Sequence, residues 1–292
     1  MKGSAVTRIV LFSIAILLLI SLLLAGLFAG NIFGSPFWAG ILDRDTLDHS
    51  GTVASSGSVS ADAVRNLQID WVSGSITIQP GDTDAITFSE PGDIPENQKM
   101  VWKQSGDTLR IQFCRSTKSW GFGFSFGSDF IAHKDLLITV PADWFCDKLK
   151  IDSVSASLDV SGVTAQKLSL DNVSGECEFR DCSVQEVGLN TVSGSLSFEG
   201  SLQELDFDTV SADCTAVLSN VPREVDLDSV SGDLRLTLPE NAGFTARLDS
   251  ASGNISTDFP TTISRGAHIC GDRSCEIDAD TVSGDVFIYK AE

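Results

Sequence analysis

One acidic position recurs along this chain. Asp70, Asp152, Asp171, Asn190, Asp208, Asp228, Asp249 and Asp280 each stand three residues before a serine or its equivalent in a repeated motif. Carboxylates at a fixed repeat position can do two kinds of work. Each can accept hydrogen bonds from backbone N–H groups at a turn, as aspartate does in an Asx-turn. Alternatively, neighbours brought together by the fold can hold a hard cation such as Ca²⁺, which takes oxygen ligands. One carboxylate per repeat is few for an ion that wants about six to eight oxygens. The glycine-rich calcium nonapeptide is also missing. The expectation is turn capping and no metal or cofactor. The competing cation ladder would consist of Asp152, Asp171, Asp208, Asp228, Asp249 and Asp280.

Other reactive side chains form no constellation. Gly123-Phe124-Ser125-Phe126-Gly127 matches the G-x-S-x-G nucleophile pattern, but that motif needs a strand–turn–helix context, and no helical pattern follows. His49, His133 and His268 are scattered and lack a metal-binding spacing. Seven cysteines include no C-x-x-C pair. Cys177 and Cys214 fall on apolar columns two repeats apart, beyond disulfide reach, and read as buried thiols. Cys270 with Cys275, Cys114 with Cys146 and Cys177 with Cys182 are disulfide candidates. A pair of glycosidase carboxylates is conceivable, but a ladder gives every repeat the same acid, whereas an active site needs an asymmetric group.

The elements that must position these residues follow from the repeat. Copies centre on Ser73, Ser155, Ser174, Ser193, Ser211, Ser231, Ser252 and Ser283, with steps of 19, 19, 18, 20 and 21 residues from Ser155 to Ser252. Apolar residues stand six and four before the serine (Leu168 and Leu170, Leu205 and Phe207) and three and five after it (Leu196 and Phe198, Leu234 and Leu236). Apolar side chains two apart are strand periodicity. The phase slips by one residue inside the motif, which requires a bend or bulge. Each copy is therefore two short strands meeting at a D-x-V-S-G corner, and the valine is expected to point inward. A small residue after the serine suits close approach of neighbouring coils. A period near 20 residues predicts an all-β fold, a β-solenoid or stacked β-strand array in which coils bury one another's apolar face.

The chain divides as follows. Residues 1–8 carry Lys2 and Arg8, and Ile9–Ala29 runs 21 residues without a charge. That is long enough for a transmembrane helix. Basic residues before it and Asp43 and Asp45 after it predict a cytoplasmic N-terminus and an extracellular remainder in a single-pass cell-membrane protein. A cleaved signal peptide is the alternative, but an A-x-A site is lacking. Residues 30–62, ending in a Gly/Ser-rich run, read as a flexible tether. Residues 63–292 form the repeat domain, with 93–134 as degenerate coils or an insertion. Within it Trp120, Phe122, Phe124 and Phe126 either cap the open end of the solenoid or form a partner-binding patch. The net charge of −20 is the wrong sign for a nucleic-acid surface.

The repeated Φ-x-Φ-D-x-V-S-G-x-Φ-x-Φ over Leu67–Ile288, the L-x-[VL]-P turns in LITVP and LTLP, and the N-terminal apolar span resemble the bacterial putative-adhesin family of β-strand repeat proteins. The resemblance implies a membrane-anchored surface protein with no catalytic residue. The function expected is a non-enzymatic cell-surface protein, an adhesin or envelope-binding solenoid whose partner is a cell-envelope polymer or membrane protein. The alternatives are an envelope-stress accessory acting through a membrane partner and a polysaccharide-active enzyme.

Overall fold

A computed structural model describes residues 51–114 and 133–291. The expected transmembrane helix at 9–29, the first part of the expected tether, His49, Ser125 and the Trp120, Phe122, Phe124 and Phe126 patch lie outside the described residues. Among the described residues no helix is long and apolar enough to cross a membrane.

The alternation does produce strands, and the strands stack in parallel. Residues before the serine form one wall of a continuous sheet, here the leading sheet, and residues after it form the other wall, here the trailing sheet. In the leading sheet, one inward row runs Leu109, Leu67, Leu149, Leu168, Val187, Leu205, Val225, Ile277 and Ala246, each directly beside the next. The trailing sheet carries a matching row: Leu136, Ile76, Leu158, Cys177, Leu196, Cys214, Leu234, Val286 and Ile255. Nearly all of these are buried in one continuous core. Burying each leucine contributes about 1.5–3 kcal/mol relative to exposure, so the rows hold the stack together. Parallel pairing between successive copies is what a coil of constant hand requires. It makes the fold an all-β, solenoid-like array.

Two features of rung order are not sequential. The motif copy centred on Ser283 does not end the stack. Its strand Cys275–Thr281 lies between Glu224–Ser229 and Phe244–Ser250, and Val286–Lys290 lies between Leu234–Leu238 and Ile255–Thr257. At the other end, the long interval after Ser73 conceals one split rung. Thr108–Gln112 fills its leading arm and Leu136–Pro141 its trailing arm, both pairing with Asn66–Gly81. The insertion therefore replaces the V-S-G corner of that rung. Antiparallel strands cover both arms at one end, Val101–Ser105 on Thr108–Gln112 and Ala85–Ser89 on Leu136–Pro141, and the leading arm at the other, Ala267–Cys270 on Phe244–Ala246. The first of these pairs is a hairpin that turns at Ser105-Gly106-Asp107.

The expected tether is not wholly one. Its end, Ser56–Ser60, is a strand paired antiparallel with Ala85–Ser89, and Val59 is buried. Glycine and serine supply little side-chain surface, but the backbone pairing and one inward valine suffice to add the strand to an existing sheet edge.

The corner also differs from expectation. At two corners the valine before the serine points outward: Val154 and Val173 are 51% and 41% exposed, whereas Val72 packs against the core. The valine carbonyl accepts the serine N–H of the next rung, as in Ser174 to Val154 (3.0 Å), Ser193 to Val173 (3.1 Å) and Ser231 to Val210 (3.0 Å). The inward turn happens two residues after the valine. Gly194 has φ 121°, and a Cβ there would sit 2.1 Å from the Gly175 carbonyl oxygen. Only a residue without a side chain fits that conformation and that approach.

Candidate functional site

The repeated aspartates point outward on the leading sheet, and they do not cap the corner. Two other rows do. Two residues before the serine, Thr209 Oγ1 accepts the Ala212 N–H (2.9 Å) and Ser250 Oγ accepts the Gly253 N–H (2.8 Å). Two residues after the serine, aspartates accept backbone N–H groups from the next rung. Asp213 takes Asp233 N–H (3.0 Å), Asp233 takes Asp285 N–H (3.0 Å) and Asp285 takes Asn254 N–H (2.8 Å). The expected chemistry is present, but on different residues. The signal was legible as the shared acidic or polar column at Asp213, Asp233, Asn254 and Asp285.

The outward aspartates split into two regimes. Early in the stack they meet cations or amides. Asp70 accepts from Arg110 Nε (2.7 Å), Asp152 from Lys150 Nζ (2.6 Å), and Asp171 from Asn190 Nδ2 (2.9 Å). Later, outward positions two residues away are also acidic. Glu204, Asp206 and Asp208 lie beside Glu224, Asp226 and Asp228, which lie beside Glu276, Asp278 and Asp280. Nine carboxylates thus occupy a three-by-three grid, with strands about 4.8 Å apart. Arg223 pairs with Glu204, and Arg247 with Glu276 (2.6 Å) and Asp278 (3.4 Å), all along the margin.

The crowding shifts titration. Burial, then Asp206 and Asp228, push Asp208 up to about 6. Burial, then Glu224 and the surrounding aspartates, push Asp226 up to about 6. Asp228 is raised by burial and by Asp280 and Asp206. Among the described residues no group of three or more His, Cys, Asp or Glu is placed to hold a metal ion.

A buried polar cluster fastens the root of the insertion. Lys134 and Glu90 form an ion pair with both side chains fully buried. The Lys134 ammonium also bonds the Gln98 carbonyl (2.7 Å) and the Phe113 carbonyl, and lies 4.1 Å from the Phe113 ring centroid. Glu90 accepts the Met100 N–H (2.8 Å), and Trp71 Nε1 donates to the Lys134 carbonyl (2.9 Å). Burial holds the lysine below its usual pKa, while Glu90 opposes the drop. Phe113 and Lys134, the two sides of the insertion, are thus tied to each other.

The remaining candidates do not assemble. His133 and His268 stand on different elements. No disulfide joins any of the three candidate pairs, Cys270 with Cys275, Cys114 with Cys146 and Cys177 with Cys182. The Cys270 thiol donates to the Ala242 carbonyl (3.6 Å) and the Cys275 thiol to the Glu276 carbonyl (3.7 Å). Cys177 and Cys214 are separated by Leu196 in one inward row, as their columns required. Burial pushes Cys146, Cys214 and Cys275 up to about 12 and Cys177 up to about 11.

The outward face of the trailing sheet carries polar or charged residues on most rungs. Near its C-terminal end stand two aromatics, Phe287 and Tyr289. Their ring centroids are 6.1 Å apart and their planes 8° from parallel. Sequence reading passed over them, because Phe287 and Tyr289 flank the inward Ile288 in ordinary strand alternation.

With the rungs and corner rows in place, the family model for Toastrack DUF4097 matches residues 64–217 and 199–289, nearly the whole stack. The chain belongs to the Toastrack DUF4097 family. Solved structures share the likeness at low identity. A putative cell adhesion protein from Clostridium sporogenes is 8% identical, covering 83% of this chain and all (100%) of its own, with a TM-score of 0.36. A putative adhesin from Bacteroides fragilis is 11% identical, covering 81% and 96%, with a TM-score of 0.29. A putative lipid binding protein from Parabacteroides distasonis is 12% identical, covering 82% and 98%, with a TM-score of 0.24. No curated protein matches the chain. The two matched stretches of the Toastrack model overlap at 199–217, in mid-stack, where one rung looks like the next.

Proposed function

We propose that this Toastrack protein is a non-enzymatic surface protein, an adhesin or envelope-binding stack, anchored in a membrane by residues 9–29. One observation carries the reading. Outward side chains recur in straight rows over nine rungs, fixed to a continuous core. Such rows repeat every 4.8 Å or so and suit a long, repetitive or extended ligand better than a small substrate. The charge-free run Ile9–Ala29, with Lys2 and Arg8 before it, supports the anchor.

The test is sedimentation of the purified full chain, in mild detergent, with washed cell-envelope material. Saturable co-sedimentation supports the reading. A chain that stays in the supernatant at every load contradicts it. Replacing Ile9–Ala29 with a polar linker should move the protein from the membrane fraction to the soluble fraction. Unchanged membrane retention would remove the anchor from the account.

A further inference from the structure

We propose that Phe287 and Tyr289, with Arg235 and Thr237 beside them, form a platform that binds the pyranose rings of a neutral polysaccharide. The inference rests on the envelope-binding reading and names a ligand class for it.

Packing does not account for these two side chains. Phe145 apart, the other described Phe, Tyr and Trp side chains are buried in the core or packed against it. On the trailing sheet, the outward neighbours in register are Thr215, Arg235 and Ser256 in the Phe287 row, and Val217 and Thr237 in the Tyr289 row. Two aromatics where other rungs place small or polar residues add apolar surface to a solvent face. Tyr289 is 37% and Val217 is 42% exposed. Tyr289 is also the chain's single tyrosine.

The geometry is that of a platform. The two rings are nearly parallel, with centroids 6.1 Å apart. The Arg235 guanidinium carbon lies 5.2 Å from the Phe287 centroid, which holds that ring from one side. Arg235 is itself anchored by Asp233 (2.8 Å) and Asp213 (3.4 Å). On the other side, the neighbouring strand is the short Ile255–Thr257. It places Ser256 beside Phe287 and ends opposite Ile288, before reaching Tyr289. That side of the rings is left beside a serine and a strand end.

The chemistry selects the ligand. Aromatic faces carry a negative quadrupole and attract the polarised C–H faces of a sugar ring, while its hydroxyls require nearby polar groups. Arg235, Thr237, Ser256 and the Tyr289 hydroxyl supply both donors and acceptors. A chain of net charge −20 disfavours anionic polymers. A neutral glycan does not meet that penalty.

The test uses the full chain in mild detergent on columns of chitin, of cellulose and of polygalacturonate. A Phe287→Ser, Tyr289→Thr double variant copies the side chains of the neighbouring rungs and preserves the strand. A melting midpoint equal to the parent's confirms that it folds. The platform predicts retention on chitin or cellulose, weak or no retention on the anionic polymer, and a drop of about tenfold or more in affinity in the double variant. No retention on either neutral polymer, or equal retention of the double variant, overturns it. So does parental self-association that the double variant abolishes. If the double variant still sediments with envelope material, this site fails while the envelope-binding reading stands. If the parent does not sediment, the broader reading fails as well.

Discussion

Thiols and one buried ion pair show what single side chains contribute. Six of the seven cysteines are buried, and Cys114 is partly exposed. Burial favours the neutral thiol, so the thiolate, which is the reactive form, is suppressed. A thiol reagent at neutral pH should therefore label no more than about one cysteine per folded chain, at Cys114. All seven should react in denaturant without added reductant. A shortfall in denaturant would reveal a disulfide and contradict the structure. Lys134→Ala would leave the Glu90 carboxylate buried without its cation. Losing one partner of such a pair costs about 3–5 kcal/mol. Urea unfolding should show a loss of that order. A Glu90→Gln, Lys134→Met double variant should lose less than the sum of the singles, because neither strands a charge. Additive losses would mean that the pair is not coupled.

The leading sheet turns a repeated residue into a property of the element. An aspartate beside Lys150 or Arg110 is compensated, whereas the same column beside Asp206 and Asp226 is crowded by like charge. Asp208 and Asp226, raised to about 6, hold protons in the folded state that the unfolded chain, near 3.8, releases. Between those values the native state binds more protons, so stability falls as pH rises. The melting midpoint should rise as pH is lowered from about 7.5 to about 5. Asp147, which its hydrogen bond to Arg65 holds below its usual value, acts in the opposite sense and below this window. Asp208→Asn should raise the midpoint at about pH 7.5 and flatten the profile. A midpoint that falls steadily from about pH 7.5 to 5 would contradict the grid's self-repulsion.

The same contrast marks how far a sequence speaks. Period two and a period near 20 residues fix which side chains face inward, and Leu158, Leu196 and Leu234 are buried in one row as required. They do not fix which way Val154 points at a sharp apex, since hydrophobicity there competes with backbone pairing. Nor do they show that Asp213, not Asp208, serves the backbone: both columns are acidic, and the choice depends on which one faces the next rung's N–H.

At the scale of the whole molecule, equivalent copies make rung order the least legible feature. Any copy can pair with any other, so the pattern alone reads as a sequential stack. The structure instead places the final copy inside the penultimate position and splits another rung around an insertion. Antiparallel strands close both arms at one end and the leading arm at the other, which spares the molecule an open parallel edge of full length. This arrangement ties residues 276–290 into the interior of the stack instead of leaving them as a terminal coil.

Rung order can be measured by cross-linking. Cysteines placed pairwise at the outward positions Asp228, Asp280 and Asp249 lie on the solvent face, whereas Cys275, the native thiol on the Asp280 strand, is buried. Neighbouring strands lie roughly 4.8 Å apart, within the Cα separation a disulfide can bridge, and strands one rung further do not. Under mild oxidation, the Asp228→Cys, Asp280→Cys pair and the Asp249→Cys, Asp280→Cys pair should cross-link, while the Asp228→Cys, Asp249→Cys pair should not. Cross-linking of the last pair, with none between positions 228 and 280, would contradict the interleaved stack.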